Sequence, residues 1–192
     1  KWYAGETISL GIGQGYNAFT PMQLAHATAI VANDGVAFRP HLVKNIVNLK
    51  TGEERAVAPQ PTHRIAAKPE HIALIRNAFV GVNKEGTSAR AFAGAEYTSG
   101  GKTGTAQVFS LKGEKYVAHK IDERLRDHAW FMAYAPAEQP RIAIAVLVEN
   151  GGFGAQAAAP IARTVLDYFL LGKKGRGPAV PAPPREGEDE GD

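Results

Sequence analysis

Residues 129–149, "AWFMAYAPAEQPRIAIAVLVE", constrain the fold more than any other stretch. Two apolar β candidates, 129–135 and 141–149, are joined by only Pro136-Ala137-Glu138-Gln139-Pro140. A parallel crossover needs a dozen or more residues, so these strands must be antiparallel neighbours. A third β candidate, 101–109, lies just upstream. A helical pattern over about 157–171 follows, with Ile161, Val165, Tyr168 and Phe169 on one face and Gly172 as its stop.

The preceding segments fit the same layout. "TPMQLAHATAIVANDG" carries an unusually complete helix start: Thr20 as N-cap, Pro21 at the first helical position, and Gln23 closing a T-x-x-Q capping box. Phe19 and Leu24 are placed as a hydrophobic staple, and Met22, Leu24, Ala25, Ala27 and Ile30 predict a buried helix that Asn33-Asp34-Gly35 stops. The run "ETISLG" before it reads as a short strand entering a glycine-rich turn. "HLVKNIVNLKTGEERAV" predicts a hairpin turning at Lys50–Glu53. "PEHIALIRNAFVGVN" predicts a helix on Ile72, Ile75, Phe79 and Val82, and "GTSARAF" a shorter one. Helices and antiparallel strands in this order define an α+β fold with helices packed on the sheet. Residues 173–192 are rich in Pro and Gly, end acidic and lack periodicity, so a disordered tail is expected there.

Composition narrows the chemistry. The chain of 192 residues has 44% apolar and 21% charged residues, a globular balance. The absence of cysteine excludes disulfides, thiolate nucleophiles and Cys-based zinc sites. The six histidines show no metalloprotease spacing, so neither a metal nor a cofactor is expected. The net charge of +3 is scattered rather than gathered into a basic strip, which argues against nucleic acid as a partner. The chain opens on Lys1 with no charged-then-apolar leader, and its longest strongly apolar run, Ile142–Val148, is too short to span a bilayer.

"SGGKTGTAQVF", residues 99–109, carries three overlapping signatures. As a Walker A loop it fails, because the required upstream glycine is Glu96. As a serine–lysine pair it is unfavourable. Ser99 and Lys102 are separated by two glycines on a strand-like segment, where positions three apart face opposite sides roughly 10 Å from each other. As a K-T-G strand it is coherent. Thr103 and Thr105 share one face and suit a ligand carboxylate, Lys102 supplies positive potential from the other, and Gly104 lets an extended peptide approach and pair with the backbone. The upstream Gly13-Gln14-Gly15-Tyr16-Asn17-Ala18 matches a dinucleotide fingerprint in letters, but the next β segment turns into a hairpin instead of a parallel strand. A close-packed glycine turn is the better reading.

Together with "GIGQGYNAFTPMQLAHATAIVANDG" and "AHKIDERLRDHAWFMAYAP", the K-T-G segment resembles the penicillin-binding protein 2 family, class B monofunctional peptidoglycan D,D-transpeptidases of Gram-negative cell elongation and shape. The resemblance runs from about Trp2 to Gly172. It implies the C-terminal portion, residues 1–172, of a serine penicillin-recognising (β-lactamase/transpeptidase-like) fold at the periplasmic face of the bacterial inner membrane. The implied reaction is acyl transfer from D-Ala-D-Ala stem peptides, blocked by β-lactams, with elongation-complex membrane proteins as partners. By position, Lys102 and Thr105 become catalytic, the latter through its backbone N–H in the oxyanion hole, and Lys102, Thr103, Gly104 and Thr105 bind substrate. The family's S-x-x-K and S-x-N motifs are missing: Ser9, Ser88 and Ser110 fit neither. The segment alone is therefore expected to be inert without the N-terminal part of the same protein. The alternative is a non-catalytic module of this fold, a β-lactam sensor or a scaffold for wall synthesis. Asp127, His128 and Trp130 read as loop anchors and core rather than as a substrate rim, and Gln14 and Tyr16 have no role derivable from sequence.

Overall fold

The computed structural model describes residues 2–108 and 121–174. A three-stranded antiparallel sheet forms its centre, in the order β5 (Gly100–Ala106), β6 (His128–Ala135), β7 (Ile142–Val148). Thr103 lies opposite Phe131 and Gly104 opposite Trp130, while Ala133 lies opposite Ile144 across the other ladder. The five-residue Pro connection thus enforces the antiparallel turn expected of it.

Helix α5 (Gly154–Leu171) covers one face of the sheet. Its Ala158, Ala159, Ala162 and Leu166 are fully buried against Ala129, Phe131, Ala133 and Ala135 of β6. The run of alanines is what lets the helix axis lie close, and Phe131 and Leu166 each add about 1.5–3 kcal/mol by leaving water. Gly172 ends α5 in the left-handed conformation at φ 67°. The opposite face receives α2 (Pro21–Ala32) and α3 (Pro69–Lys84), where Tyr134 packs with Ala32, Phe79 and Val80. A short helix, α4 (Ala89–Phe92), delivers Phe92 to the α5 side, its ring 5.7 Å from that of Phe131.

The start of α2 is built as its letters require. Gln23 N–H donates to Thr20 Oγ1 at 3.2 Å and Gln23 Oε1 accepts from Thr20 N–H at 2.8 Å. Phe19 and Met22 nevertheless stay more than half exposed, and only Thr28 and Ala32 of this helix are buried. The helix therefore buries one side near its C-terminal end rather than all round. The hairpin forms from β2 (Asn45–Val47) and β3 (Glu54–Ala56), and two further short strands, β1 (Val36–Phe38) and β4 (Pro61–Arg64), pair with each other in a separate ladder.

One element differs from expectation. "ETISLG" is not a strand but lies in helix α1 (Ala4–Gly11). Glu6 reaches back to accept from the Tyr3 N–H at 2.8 Å and also accepts from the Tyr16 hydroxyl at 2.7 Å, satisfying donors at the helix start. The Ile8, Leu10, Ile12 alternation that suggests a strand leaves all three exposed, Ile8 and Leu10 on this helix and Ile12 just past its end. The tail expected from Lys173 onward lies outside the described residues except for its first two; Lys173 pairs with Glu96.

Candidate active-site strand

Strand β5 is the sheet edge among the described residues, and its sequence explains how it sits there. A Cβ at Gly100 would lie 2.6 Å from the Tyr134 ring, and one at Gly101 would lie 2.6 Å from Phe131 and 2.9 Å from Asn83 Oδ1. The two glycines of "SGGK" are thus demanded by aromatic packing across the ladder, not by a phosphate loop.

In an antiparallel strand a residue's N–H and C=O point to one side, and the side alternates along the chain. The Thr98 carbonyl accepts from Ala137 N–H at 3.0 Å, on the β6 side. The Thr103 and Thr105 carbonyls instead accept from side chains, Lys102 Nζ at 2.9 Å and Gln14 Nε2 at 2.7 Å. Odd-numbered residues of β5 therefore turn their backbone groups to the open edge. This places the Thr105 N–H and C=O, the Thr103 C=O and the Lys102 ammonium along one rim.

The side chains divide as the period of two requires. Lys102 is exposed and shares the α2/α3 face with Met132, while Thr103 and Thr105 share the α5 face. The two hydroxyls are not equivalent, however. Thr103 is 4% exposed, and its Oγ1 lies 3.0 Å from Thr87 Oγ1, whereas Thr105 is only partly buried. Gly104 is held on both faces. Its own Cβ would lie 3.3 Å from Trp130 Cβ, and on the other face a Cβ at Gly154 would lie 2.7 Å from the Gly104 carbonyl.

Ser99 sits just before the strand, 5% exposed, and accepts from Asn83 Nδ2 at 2.9 Å. Asn83 Oδ1 in turn accepts from the Ser88 hydroxyl at 2.6 Å. Both serines are buried hydrogen-bonding partners of one asparagine. The letters S-x-x-K at this place do not make a nucleophile and base. Sequence alone could not find Asn83, because a lone polar residue near a helix end gives no pattern; nor could it link Gln14 to Thr105, 91 residues away.

Asp127 and His128 behave as anchors. The Asp127 carbonyl accepts from Gly152 N–H at 2.8 Å and its carboxylate from Val108 N–H at 3.4 Å, while His128 Nδ1 accepts from Asn150 N–H at 2.9 Å. Burial pushes the Asp127 carboxyl above its ordinary pKa, partly offset by the Val108 bond. Among the described residues no group of three His, Asp or Glu side chains could hold a metal ion, and no helix is long and apolar enough to cross a membrane.

A three-stranded antiparallel sheet between one C-terminal helix and two opposing helices, with K-T-G on its edge, is a penicillin-recognising arrangement. Residues 1–167 match the penicillin-binding protein transpeptidase domain, and the chain belongs to that family. Within it, the chain is similar to the peptidoglycan D,D-transpeptidase MrdA of Haemophilus influenzae, 47% identical over 174 residues that cover 88% of this chain and 26% of that protein. Among solved structures, Pseudomonas aeruginosa penicillin-binding protein 2 in complex with WCK 5153 superposes with a TM-score of 0.70 at 39% identity, over 94% of this chain and 36% of that one. Penicillin-binding protein A of M. tuberculosis, as an imipenem acyl-enzyme, gives 0.67 at 32% identity, over 84% and 33%. The chain spans about a quarter of the length of the MrdA protein it matches.

Proposed function

We propose that this chain supplies one wall of the acyl-transfer site of a peptidoglycan D,D-transpeptidase, with β5 as the strand along which substrate lies. The observation that carries the proposal is the open edge of β5. It offers outward backbone groups at Thr103 and Thr105 beside a lysine ammonium. An extended D-Ala-D-Ala stem peptide adds to such an edge as a further strand, and Gly104 presents no side chain to obstruct it. Its terminal carboxylate meets the positive potential of Lys102 and the hydroxyl of Thr105. Thr103 is the second carboxylate contact, its hydroxyl donating to the ligand while accepting from Thr87 Oγ1.

In the reaction, a serine from the part of the protein preceding this segment attacks the carbonyl carbon of the penultimate D-Ala. The C–N bond to the terminal D-Ala breaks, and the serine's proton leaves on the departing amine. The oxyanion formed on the way is met by the Thr105 N–H. Such preorganised donors usually give the largest single contribution to acyl-transfer catalysis. An amine of a neighbouring stem peptide then takes the acyl group, forming the cross-link. β-Lactams enter by the same route and remain as esters. The imipenem acyl-enzyme of the M. tuberculosis relative supports this reading. Placement at the periplasmic face of the inner membrane, and partnership with elongation-complex membrane proteins, follow from the family resemblance.

The test is covalent labelling of the full-length protein by a reporter penicillin. Lys102→Ala should slow acylation by roughly 10- to 150-fold, the worth of a hydrogen bond to a charged group. Residues 1–192 alone should not label. Unchanged acylation in Lys102→Ala would defeat the assignment of the strand.

A further inference from the structure

Gln14 lies far from β5 in sequence but reaches its open edge. Its Nε2 donates to the Thr105 carbonyl at 2.7 Å in a partly buried contact. The loop that presents it is fixed from several sides. Gln14 N–H donates to Ser9 O at 2.9 Å, and Asn17 Nδ2 donates to Leu10 O at 3.0 Å and to Gln14 O at 3.1 Å. Gly13 and Gly15 flank it at φ 84° and 67°, a conformation that side-chain-bearing residues rarely adopt. Gly13 and Gly15 thus shape a short turn that presents one partly buried carboxamide to a strand edge.

That carbonyl has a second claimant. If a peptide or an acylamido β-lactam lies along β5, the ligand N–H on the acyl side of the scissile bond pairs with an outward carbonyl of the strand. Thr105 carries both the outward carbonyl and the outward N–H nearest the reacting centre. We propose that Gln14 is a specificity-determining residue that competes with the ligand amide for the Thr105 carbonyl and so takes back part of the advantage a ligand N–H would otherwise gain there. This inference rests on the reading of β5 as the substrate strand. Gln14 in this role holds the edge carbonyl that a ligand N–H would otherwise take.

The experiment uses the full-length protein and two probes: benzylpenicillin, which carries an acylamido N–H, and a penam without that side chain. The quantity read is the ratio of their second-order acylation rates. In Gln14→Ala the ratio should rise in favour of benzylpenicillin by about two- to tenfold, the range of a single net hydrogen bond. Gln14→Glu, similar in size but with no N–H to donate when ionised, should shift the ratio the same way. An unchanged or lowered ratio overturns the proposal. Loss of acylation by both probes in both variants overturns it as well, because Gln14 would then be a brace for the strand. Failure of the wild-type protein to react with either probe refutes the proposed function instead.

Discussion

Gly154, at the first turn of α5, gives the sharpest quantitative test of how the K-T-G strand is held. A Cβ there would sit 2.2 Å from the Trp130 carbonyl oxygen, 2.7 Å from that of Gly104 and 3.0 Å from the Gly104 nitrogen. All three are backbone atoms of β5 and β6, so no side chain can turn away to make room. To restore ordinary contact, α5 must withdraw on the order of 1 Å, which forfeits a quarter to a half of the dispersion energy of the contacts it opens. Those contacts include the buried Ala158 and Ala159 along the same face. Overpacking of this kind costs about 1–3 kcal/mol, from which the helix-propensity gain of alanine over glycine, about 0.5–1 kcal/mol, must be subtracted. Gly154→Ala should therefore destabilise by up to about 2.5 kcal/mol net and lower the Tm by up to roughly 10 °C for a domain of this size. It should also slow penicillin acylation, since the displaced backbone is that of Gly104. Gly5→Ala in α1 is the matched control, because a Cβ there meets nothing within 4 Å. It should be neutral or stabilising by up to about 1 kcal/mol. Thermal melting of the full-length protein in the three forms decides the matter. If Gly154→Ala melts no lower than Gly5→Ala, the close approach of α5 to the strand is not what holds β5 in place.

Two further outcomes are expected. Asn83→Ala should cost about 1–3 kcal/mol in denaturant unfolding, because the buried Ser99 hydroxyl loses the Asn83 donor and Ser88 keeps only the Val82 carbonyl as acceptor. Asn83→Asp should cost at least as much, since it offers Ser99 no donor and buries a charge; an Asp variant as stable as the wild type would disprove the network. Burial, followed by the hydrogen bond to Asp167, raises the Tyr97 hydroxyl above its ordinary pKa of 10.0. The unfolded chain thus loses this proton first, the folded state binds more protons above pH 10, and stability falls as pH rises through that window. Tm measured at about pH 9 and pH 11 should drop less in Tyr97→Phe than in the wild type, whatever the offset between them at the lower pH; equal drops would refute the assignment.

What could be read from sequence follows the range of the forces involved. The α2 start is legible because Thr20, Pro21 and Gln23 act on one another within a single turn. The β6–β7 pair is legible because its linker is too short for any other connection. Helix α1 is misread because period-two apolar spacing over six residues is ambiguous, while the bonds that decide it come from Glu6 to Tyr3 and Tyr16. The site divides along the same line. Alternation along β5 correctly sets Lys102 apart from Thr103 and Thr105, but cannot say that Thr87 already holds one hydroxyl and Gln14 one carbonyl. Those contacts close loops of 16 and 91 residues, and no local pattern encodes them. The consequence reaches the chemistry. A strand whose edge groups are already bonded to its own chain must exchange those bonds for a ligand's, so the net free energy of substrate addition is a difference between two hydrogen-bond sets. On the proposed reading of β5, selectivity among ligands depends on how well each replaces Gln14, and the K-T-G letters alone cannot specify it.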